Sequence, residues 1–425
     1  MRLRIRRQAA VPWSGARTVD VHLPRLDQRG RWLCGLLTGG LWYSRTPAGE
    51  PLGVRMSITS DADEIYQDVI LPHVSRTFAL TIPQLPPALR TAVTSAYLLC
   101  RIADTIEDEP GLSVPDTDQF LSRFTAVVRG DENPSRFAHE LAPRLSERTL
   151  AAERDLIANT ARVIRVLERF EARQRAAIRR CIEVMCHGMH QFQSTASLAG
   201  LALCSDLDTY CYYVAGIVGE TLTELFCGYS PQIEVHYAAL YPLAPSFGQG
   251  LQMTNILKDV WEDRARGACW LPRELFSRHG VEVAELSPQR SDARFHAGVL
   301  ELIGVAHRHL RNALAFTLLI PGDQVGIRRF CLWAIGLAAL TLRKIQTTPG
   351  YTAGRQVKIS RSAVAMVQSL THLSVRSDAA LRQLFERATR GLPLSQDPVP
   401  LKPVGILARP PQPDRRDTQA GPPPG

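Results

Sequence analysis

The pentapeptide Asp104-Thr105-Ile106-Glu107-Asp108 has the pattern D-x-x-E-D, and Asp259-Val260-Trp261-Glu262-Asp263 repeats it 155 residues later. On a helix, positions i, i+3 and i+4 lie on one face, with Cβ atoms about 5–6 Å apart. Each copy therefore presents three carboxylates in one direction. Such a cluster repels itself unless cations neutralise it, and hard divalent ions prefer oxygen ligands. The two copies, called here the first and the second acidic cluster, predict a site where Mg²⁺ ions hold diphosphates.

The residues before the first acidic cluster predict a helix that is buried on most sides. Its apolar residues recur at helical spacing: Leu89, Ala92, Val93, Ala96, Cys100 and Ala103. A polar stripe lies beside them and ends in the cluster: Tyr97, Arg101, Asp104 and Asp108. The remaining positions are mostly apolar and leave little of this helix for water. We therefore expect the polar stripe to line a cavity.

The second acidic cluster has a similar setting. One helical face combines it with other polar residues: Gln252, Asn255, Asp259, Glu262 and Arg266. Between the clusters lies the tyrosine-rich block Tyr210–Gly219, in which Gly216 and Gly219 lower the helix propensity. These glycines have two interpretations, either close packing of two helices or room for a flat apolar ligand against the backbone.

Proline placement divides the chain. The windows 144–230, 289–320 and 350–392 contain no proline and can hold long helices, and strand patterns are weak throughout, so we predict an all-α fold. Ser60 is a plausible N-cap followed by acidic residues, which places the start of the folded domain near Met56. Ten of the 29 prolines lie between Pro393 and Pro424. We predict one helical domain over 56–390, an Arg-rich extension over 1–55 outside the fold, and a disordered Pro-rich tail over 391–425.

Charge and cysteine content limit the possible functions. Residues 1–55 carry ten arginines against three acids, which is +7 of the net +9 of the 425-residue chain. The basic character therefore belongs to the extension, and we expect no nucleic-acid partner. Nine scattered cysteines without a CxxC pair indicate free thiols in a reducing compartment. No run of 18 apolar residues occurs, and the longest candidate, Phe330 to Leu342, is interpreted as a buried helix.

Three blocks of the chain, spread over about residues 56–370, together resemble the squalene/phytoene synthase family. Ser75-Arg76-Thr77-Phe78, Arg101 and the first acidic cluster are similar to its first conserved region, and Tyr210–Gly219 is similar to its second. The third region is matched by residues on and after the second acidic helix: Gln252, Asn255, the second acidic cluster, Gly267 and Leu271-Pro272. The resemblance implies the isoprenoid synthase fold, in which one helical domain surrounds a central cavity lined by two acidic helices.

The resemblance also assigns roles to residues. Mg²⁺, or Mn²⁺ in its place, is expected to bind at Asp104, Glu107, Asp108, Asn255, Asp259, Glu262 and Asp263, of which the four aspartates are the catalytic ligands. Substrate binding is expected at Ser75, Arg76, Tyr97, Arg101, Gln252, Asn255 and Arg266. The arginines can also pair with the acidic clusters, and both roles can hold. Tyr210 matches the family tyrosine that helps to remove a proton, which it more plausibly relays to released diphosphate.

Within the family, the chain resembles most closely the members that form squalene. Phe330-Cys331-Leu332-Trp333, the helix to Lys344, and Val357-Lys358-Ile359-Ser360-Arg361 are similar to the region that is linked in those members to a reductive second step. This resemblance implies NADPH as cofactor, with Lys358 and Arg361 binding it. Ser360 and Ser362 interrupt the basic stretch, and a Pro-rich tail stands where eukaryotic members have a membrane helix.

The activity implied is head-to-head condensation of two farnesyl diphosphates through presqualene diphosphate, followed by NADPH-dependent reduction to squalene. Phytoene, dehydrosqualene or hydroxysqualene synthesis within the same family is the alternative, because the acidic motifs do not separate these products. A non-catalytic assembly factor is less favoured, since all six carboxylates are present. We expect a cytoplasmic monomer or homodimer without a transmembrane helix, in peripheral contact with the inner membrane for product release.

Deletion of residues 1–55 is expected to leave the thermal stability and the condensation activity nearly unchanged, because the segment lacks a helical period. Thermal unfolding and turnover of the truncated and full-length proteins provide the comparison. A soluble but inactive truncation would show that the extension contributes to the site.

Overall fold

The computed structural model describes residues 62–75, 77–193 and 197–396, together with the backbone but not the side chain of Arg290. The predicted N-cap Ser60, the predicted substrate-binding Arg76, the extension 1–55 and the tail beyond residue 396 therefore lie outside the described residues.

The described residues form an all-α structure without a β-strand, as predicted. Its helices are α1 (Ala62–Val74), α2 (Phe78–Thr81), α3 (Pro87–Glu107), α4 (Val114–Arg129), α5 (Pro134–Leu141), α6 (Ala151–Ala158), α7 (Thr160–Leu167), α8 (Ala172–Gln193), α9 (Cys204–Cys211), α10 (Ile217–Tyr229), α11 (Pro231–Glu234), α12 (Tyr237–Ala265), α13 (Arg273–Arg278), α14 (Ala293–Leu319), α15 (Val325–Gln346), α16 (Arg361–Ser374) and α17 (Asp378–Ala388). A π-helical turn, Tyr212–Gly216, joins α9 to α10.

The two acidic clusters lie on α3 and α12, the helices around which the cavity is built. α12 packs against α10, α14 and α15, and α3 packs against α8 and α1. The predicted apolar face of α3 is confirmed, since Leu89 and Ala92 are fully buried and Ala96 is nearly so. These contacts hold the two acidic helices in place, because each is anchored by an apolar face on one side.

α1 begins with the acidic residues that the sequence predicted, but one of them is part of the core. Asp63 is buried and accepts hydrogen bonds from Arg162 at 2.9 Å and Arg165 at 2.7 Å. The arginines lower the pKa of Asp63 to about 2 against the opposing effect of burial. A buried carboxylate remains ionised here because two guanidinium groups satisfy it. The hydrogen bonds from Arg162 and Arg165 to Asp63 thus join α7 to α1, in addition to the apolar contacts between these helices.

Glycines allow the helices around the π-helical turn to approach one another closely. A Cβ atom on Gly219 would lie 1.9 Å from the carbonyl oxygen of Ala244, and one on Gly248 would lie 1.9 Å from that of Ala215. A Cβ on Gly216 would meet Tyr212 at 3.1 Å and Gln249 at 3.4 Å. Close packing is therefore the correct interpretation of Gly216 and Gly219, and the alternative of a ligand against their backbone is wrong.

α15 is longer than the apolar run from which it was predicted. Among the described residues it is the one helix long and apolar enough to cross a membrane, with a mean hydropathy of 1.5 over 18 residues. The apolar run in the sequence extends only from Phe330 to Leu342, whereas the helix has 22 residues. Within that window 56% of the residues are buried in the protein, which agrees with the predicted core helix.

The described chain continues past the predicted boundary at residue 390. The side chain of His307 hydrogen bonds to the carbonyl oxygen of Pro393 at 2.8 Å, and the amide of Ser395 donates to Gly304 at 3.1 Å. Leu392 is buried. Residues 391–396 are thus attached to α14.

Gly219→Ala is expected to destabilise the protein by about 1–3 kcal/mol, because the new methyl group would overlap the α12 backbone. Gly228→Ala is the matched control on the same helix, since its Cβ would meet nothing closer than Arg173 Cδ at 3.7 Å. In an open helical position Ala is favoured over Gly by up to about 1 kcal/mol. Urea unfolding of both variants measures the difference, and equal stability of the two would contradict the close-contact interpretation.

Candidate active site

The two acidic clusters line one cavity of about 790 Å³, called here the acidic cavity. Most of the predicted site residues lie in its wall: Arg101, Asp104, Glu107, Asp108, Tyr210, Gln252, Asn255, Asp259, Glu262, Asp263 and Arg266. These residues come from α3, α9 and α12 and from the residues that directly follow α3 and α12. Helical spacing places the residues of each segment on one face, and packing between the segments brings these faces together at one site.

Each acidic cluster lies at the C-terminal end of its helix. α3 ends at Glu107 with Asp108 as its C-cap, and α12 ends at Ala265, two residues after Asp263. The C-terminal end of a helix carries partial negative charge, so carboxylates are least favourable there. α12 also departs from helical geometry at Asp259, where φ is −104° and ψ is 16°. The arrangement costs stability unless cations are bound, which indicates a functional requirement.

Arg266 connects the two clusters. Its guanidinium group lies 2.6 Å from Asp263 of the second cluster and 3.5 Å from Asp108 of the first. Arg101 lies 3.7 Å from Asp104 and 4.0 Å from Glu153, and Lys258 Nζ lies 3.0 Å from Asp259. The predicted ion pairing of the two arginines with the clusters is thus present. These pairs bring the clusters face to face across the acidic cavity.

Burial and mutual repulsion favour protonation of several carboxylates. Burial raises the pKa of Asp104 to about 6, although Arg101 opposes the rise. Burial also raises the pKa of Asp263 to about 6, against the hydrogen bond from Arg266. The pKa of Glu107 is raised well above its ordinary value by burial and by Asp108 and Asp104. A divalent cation would reverse this preference, because it stabilises the ionised form.

The residues of the acidic cavity fit a hard divalent cation. Glu107 Oε1 is buried without a hydrogen-bond partner, and the donors that line the cavity are carboxylate and amide oxygens. Among the described residues no three His, Cys, Asp or Glu side chains converge closely enough to hold an ion alone. Mg²⁺ ordinarily uses one or two carboxylates and completes its shell with water and phosphate oxygens. The set is therefore suited to Mg²⁺ that arrives with a phosphate ligand.

A second, apolar cavity of about 190 Å³ adjoins the acidic cavity and is called here the apolar cavity. Five residues line both: Arg101, Asp104, Val214, Gln252 and Asn255. Aromatic rings form part of its wall, with Phe78 5.3 Å from Tyr97 and 6.4 Å from Phe330 between ring centroids. Phe78 thus packs against the core and also borders the apolar cavity. The two cavities together suit a ligand with a charged head and an apolar chain.

Tyr210 is buried between aromatic neighbours at the acidic cavity. Its ring stacks on Trp270 with centroids 4.0 Å apart and planes 8° from parallel, and Phe192 contacts it edge-on at 5.4 Å. Burial, together with Glu107, Asp108 and Asp263, raises the pKa of Tyr210 well above its ordinary value. The phenol is therefore neutral at physiological pH and can donate a proton or pass one on, but it is a weak base.

Some predicted residues lie elsewhere. Ser75 accepts a hydrogen bond from the amide of Phe78 at 3.0 Å and is not among the residues that line either cavity. Tyr97 lines only the apolar cavity, where its hydroxyl donates to the carbonyl oxygen of Val74 at 2.9 Å and accepts from Arg101 at 3.1 Å. The substrate contact predicted for Ser75 stays a prediction, because its hydroxyl instead binds the amide of Phe78, the first residue of the short helix α2.

Lys358 and Arg361 are exposed and lie outside the lining of both cavities. The loop before them is nevertheless bound to the second acidic helix. The amide of Gly354 donates to Glu262 Oε1 at 2.8 Å, and Trp261 Nε1 donates to the carbonyl oxygen of Tyr351 at 2.7 Å. Because Glu262 accepts a hydrogen bond from this loop, its carboxylate is less available to bind metal than the sequence predicted.

Three polar or aromatic residues of the acidic cavity were not predicted from the sequence: Gln193, Lys258 and Trp270. Lys258 directly precedes the second acidic cluster and shares its helix, so its charge could have indicated a role. Trp270 directly precedes Leu271-Pro272 of the third block. Gln193 is remote in sequence, and its amide donates to the carbonyl oxygen of Glu107 at 3.3 Å. Only the packing of α8 against α3 places it in the wall.

A buried polar network behind the cavity was also missed. His309 of α14 is fully buried and lies 3.0 Å from Asp208 Oδ1 and 3.1 Å from Ser246 Oγ. Gln249 donates to the same carboxylate oxygen at 3.0 Å. Since Asp208 lies two residues before Tyr210, the network fixes the segment that carries this tyrosine. No local pattern could have found it, because Asp208 and His309 are 101 residues apart.

Comparison with known proteins agrees with this geometry. Residues 71–363 match the family described as squalene/phytoene synthase. Squalene synthase ERG9 of Candida albicans is 30% identical over 290 residues, which are 66% of this chain and 61% of that protein. The chain thus matches less than two thirds of the length of this curated relative. The family match covers well over half of the chain, and the chain belongs to the squalene/phytoene synthase family.

Solved structures share the fold. TcSQS in complex with the ligand BPH1237 superposes with a TM-score of 0.61 at 24% identity, covering 80% of this chain and 94% of that one. A dehydrosqualene synthase in complex with ligand gives a TM-score of 0.55 at 20% identity, covering 74% and 97%. The predicted isoprenoid synthase fold is thereby confirmed.

Stabilisation by Mg²⁺ is expected to depend on pH. The pKa values of Asp104 and Asp263 are about 6 in the folded metal-free protein, above their ordinary value of 3.8. Their protonation therefore stabilises the metal-free fold fully below about pH 4, and this contribution is lost as the pH rises through about 6. Protons compete with Mg²⁺ below that value.

Millimolar Mg²⁺ should raise the Tm of chelator-treated protein more at pH 7.5 than at pH 5.5, as measured by thermal unfolding at both pH values. Asp263→Asn should reduce the difference, whereas Asp131→Asn, at an exposed position outside the cavity, should not. An equal Mg²⁺ effect at both pH values in the wild type would contradict cation binding at these carboxylates.

Proposed function

We propose that this protein is a squalene synthase. It joins two farnesyl diphosphates head to head through presqualene diphosphate and reduces this intermediate to squalene with NADPH. The observation that carries the proposal is the direct junction of the acidic cavity with the apolar cavity, which share Arg101, Asp104, Gln252 and Asn255. A prenyl diphosphate has the same two parts, a charged head and an apolar chain.

The acidic cavity promotes departure of diphosphate. Mg²⁺, or Mn²⁺ in its place, would be held by Asp104, Glu107, Asp108, Asp259 and Asp263 with Asn255, and when bound it neutralises the leaving group. Arg101 and Arg266 line the same wall and offer guanidinium forks that match phosphate oxygens. Glu262 orients the loop at Gly354 and contributes charge rather than a free ligand.

The apolar cavity holds the prenyl chain and protects the carbocation that remains after diphosphate has left. Phe78, Tyr97 and Phe330 provide aromatic faces, which attract cations through the ring quadrupole. Exclusion of water matters equally, because water would convert the cation into an alcohol. Trp270 and Phe192 contact the Tyr210 ring from two sides, and Tyr210 is buried.

Closure of the cyclopropane ring requires loss of a proton. Tyr210 lies in the wall beside Glu107 and Asp263, and its raised pKa makes it a proton relay rather than a base. Departed diphosphate, held in the same cavity, is the acceptor to which Tyr210 passes the proton. The network of Asp208, Gln249 and His309 holds the segment that carries Tyr210 in the position that this transfer requires.

NADPH, when bound, supplies the hydride that ends the reaction. Lys358 and Arg361 are exposed and form no ion pair that is resolved among the described residues, so both are available to a phosphate group. The loop that precedes them is fastened to Trp261 and Glu262 of the second acidic helix. That attachment supports a cofactor site at the edge of the acidic cavity.

Other products remain alternatives within the family. Phytoene, dehydrosqualene and hydroxysqualene synthases would use the same acidic cavity, and a dehydrosqualene synthase has the same fold. The similarity to squalene synthase of Candida albicans favours squalene. A non-catalytic assembly role is disfavoured by the complete set of six carboxylates. We further propose a cytoplasmic enzyme, monomeric or homodimeric, that contacts the membrane peripherally to release its product.

Asp104→Asn and Asp259→Asn should each lower the rate of condensation by more than about 100-fold, because each removes a charge that supports ionisation of the diphosphate. Turnover of radiolabelled farnesyl diphosphate with Mg²⁺ measures the effect. Asp131→Asn is the matched control and should retain normal turnover. Near-normal activity of either cluster variant, with the fold intact by circular dichroism, would contradict the two-cluster mechanism.

Lys358→Ala combined with Arg361→Ala should allow presqualene diphosphate to accumulate while squalene decreases, because only the reductive step uses the nicotinamide cofactor. Product analysis with and without NADPH measures this change. Arg382→Ala combined with Arg387→Ala removes two exposed arginines of α17 and should leave the products unchanged. If the wild type forms one product irrespective of NADPH, a non-reductive synthase is the correct assignment.

A further inference from the structure

The helix α16 presents an apolar stripe to solvent. Met366, Leu370 and Leu373 follow one another at spacings of four and three residues, which places them on one helical face. Their exposed fractions are 48%, 40% and 81%. Another face of α16 is packed against α15, since a Cβ on Gly336 would lie 2.8 Å from Val367. The stripe therefore belongs to a helix that is fixed to the protein by its other side.

An apolar groove of about 100 Å³ lies beside this stripe, between α14, α15, α16 and α17. Met366 and Leu370 belong both to the stripe and to the groove, and all the residues that line the groove except Thr371 are apolar or glycine. The stripe and the groove thus form one apolar surface, called here the α16 surface. A continuous apolar surface of this kind marks an interaction with another protein or with a membrane.

The charge around the α16 surface distinguishes between these partners. Residues 324–377 contain eight arginines and lysines and no aspartate or glutamate, although 41 acids in 425 residues would give about five in such a stretch. Arg361 begins α16 and Arg376 follows its last residue by two, so cations flank the stripe at both ends. Asp378, the first acid after the stretch, pairs with Arg328 at 2.7 Å. Six of the eight cations are exposed: Arg343, Lys344, Arg355, Lys358, Arg361 and Arg376.

We propose that the α16 surface docks onto a membrane that contains anionic phospholipid. Helices that lie in the membrane interface combine an apolar face with lysines and arginines, which attract the negatively charged headgroups. Met366 and Leu373 would enter the boundary between headgroups and acyl chains, while Arg361 and Arg376 contact lipid phosphates at its edge. The inference rests on the proposed function in one respect, because it assigns a surface to the peripheral membrane contact of that function.

Helix α1 shows that exposed apolar residues alone do not define such a surface. Ile65 and Val69 lie on one face of α1 and are 50% and 60% exposed. Each is directly preceded by an acid, Glu64 and Asp68. Anionic headgroups would be repelled by these carboxylates, whereas the stretch that contains α16 carries none.

A second copy of this chain is the other occupant that an apolar surface can take. A twofold contact sets the same patch of both copies against itself. The exposed cations that flank α16 would then approach their own counterparts, and no acid of residues 324–377 would neutralise them. An anionic bilayer is complementary to this charge, which favours the membrane over a dimer.

Flotation with lipid vesicles tests the proposal on the full-length protein in chelator, without substrate or cofactor. Vesicles of phosphatidylglycerol and phosphatidylcholine in equal parts should bind the protein at least about tenfold more tightly than vesicles of phosphatidylcholine alone. Raising NaCl from about 0.1 M to about 0.5 M should weaken this binding at least about fivefold, because salt screens exposed charges. Equal binding to both kinds of vesicle, or binding to neither, would overturn the proposal.

The decisive comparison is between variants, because the Arg-rich extension over 1–55 is also basic. Met366→Gln combined with Leu373→Gln should weaken binding to the mixed vesicles at least about tenfold, since it removes the apolar contact. Val235→Gln is the matched control, because it replaces an apolar residue that is 77% exposed after α11, and it should bind as the wild type does. Leu373→Gln alone provides the test if the double variant fails to fold.

Equal binding of the wild type and the double variant would overturn the proposal and assign vesicle binding to another part of the chain. Hydrogen exchange locates the contact, because peptides from α16 should exchange more slowly when vesicles are bound and peptides from α11 should not change. A dimer in analytical ultracentrifugation that the double variant abolishes, without protection of α16 by vesicles, would overturn the proposal in favour of a second copy.

Turnover of farnesyl diphosphate in solution separates this inference from the proposed function. The double variant should keep normal condensation, because neither Met366 nor Leu373 lines the acidic or the apolar cavity. If α16 carries vesicle binding but the wild type does not condense farnesyl diphosphate, the proposed function fails and the membrane surface stands. If condensation is normal but the double variant still binds vesicles fully, the surface fails and the proposed function stands.

Discussion

Repulsion between two carboxylate clusters at the ends of two helices is the constraint on which the rest of the structure depends. The first cluster closes α3 and the second lies in the last turns of α12, so the helix dipoles add to the repulsion instead of relieving it. Packing must hold these helices together against that force. It does so through buried apolar faces, with Leu89 and Ala92 on α3 and Met253 and Leu257 on α12.

The close contacts at the glycines also help to hold the second acidic helix in place against this repulsion. Gly219 and Gly248 allow α10, the π-helical turn and α12 to touch backbone to backbone, so these segments pack more closely than any side chain would permit. The buried network of Asp208, Gln249 and His309 then connects α9, α12 and α14 with directional hydrogen bonds. Hydrogen bonds are directional, so the network favours one arrangement of the tyrosine segment, although Asp208 Oδ2 and Gln249 Oε1 are buried in it without a partner.

The sequence predicted the helical fold and the acidic cavity well, because both follow from spacing along single helices. α3 was predicted from its apolar period, and the two clusters were predicted to face each other. The proline-free windows did not include α12, because Pro242 and Pro245 both lie inside this helix. Trp270 and Gln193 reach the cavity only through contacts between segments that are distant in sequence. Ser75 matches a family motif but lies outside the lining of both cavities, so its predicted substrate contact stays a prediction.

The balance of charges in the acidic cavity reconciles the two interpretations of its arginines. Three cationic residues, Arg101, Lys258 and Arg266, face six carboxylates, which leaves a charge of −3 when all are ionised. The three cations therefore neutralise only half of the carboxylate charge. The cavity stays negative and does not attract a bare anion. A diphosphate alone would be repelled, whereas a diphosphate that carries divalent cations would be attracted. If divalent cations bound the carboxylates, the guanidinium groups would be free to bind phosphate oxygens. Under the proposed function, ion pairing and substrate binding are therefore successive states of the same arginines, and cation binding would convert one state into the other.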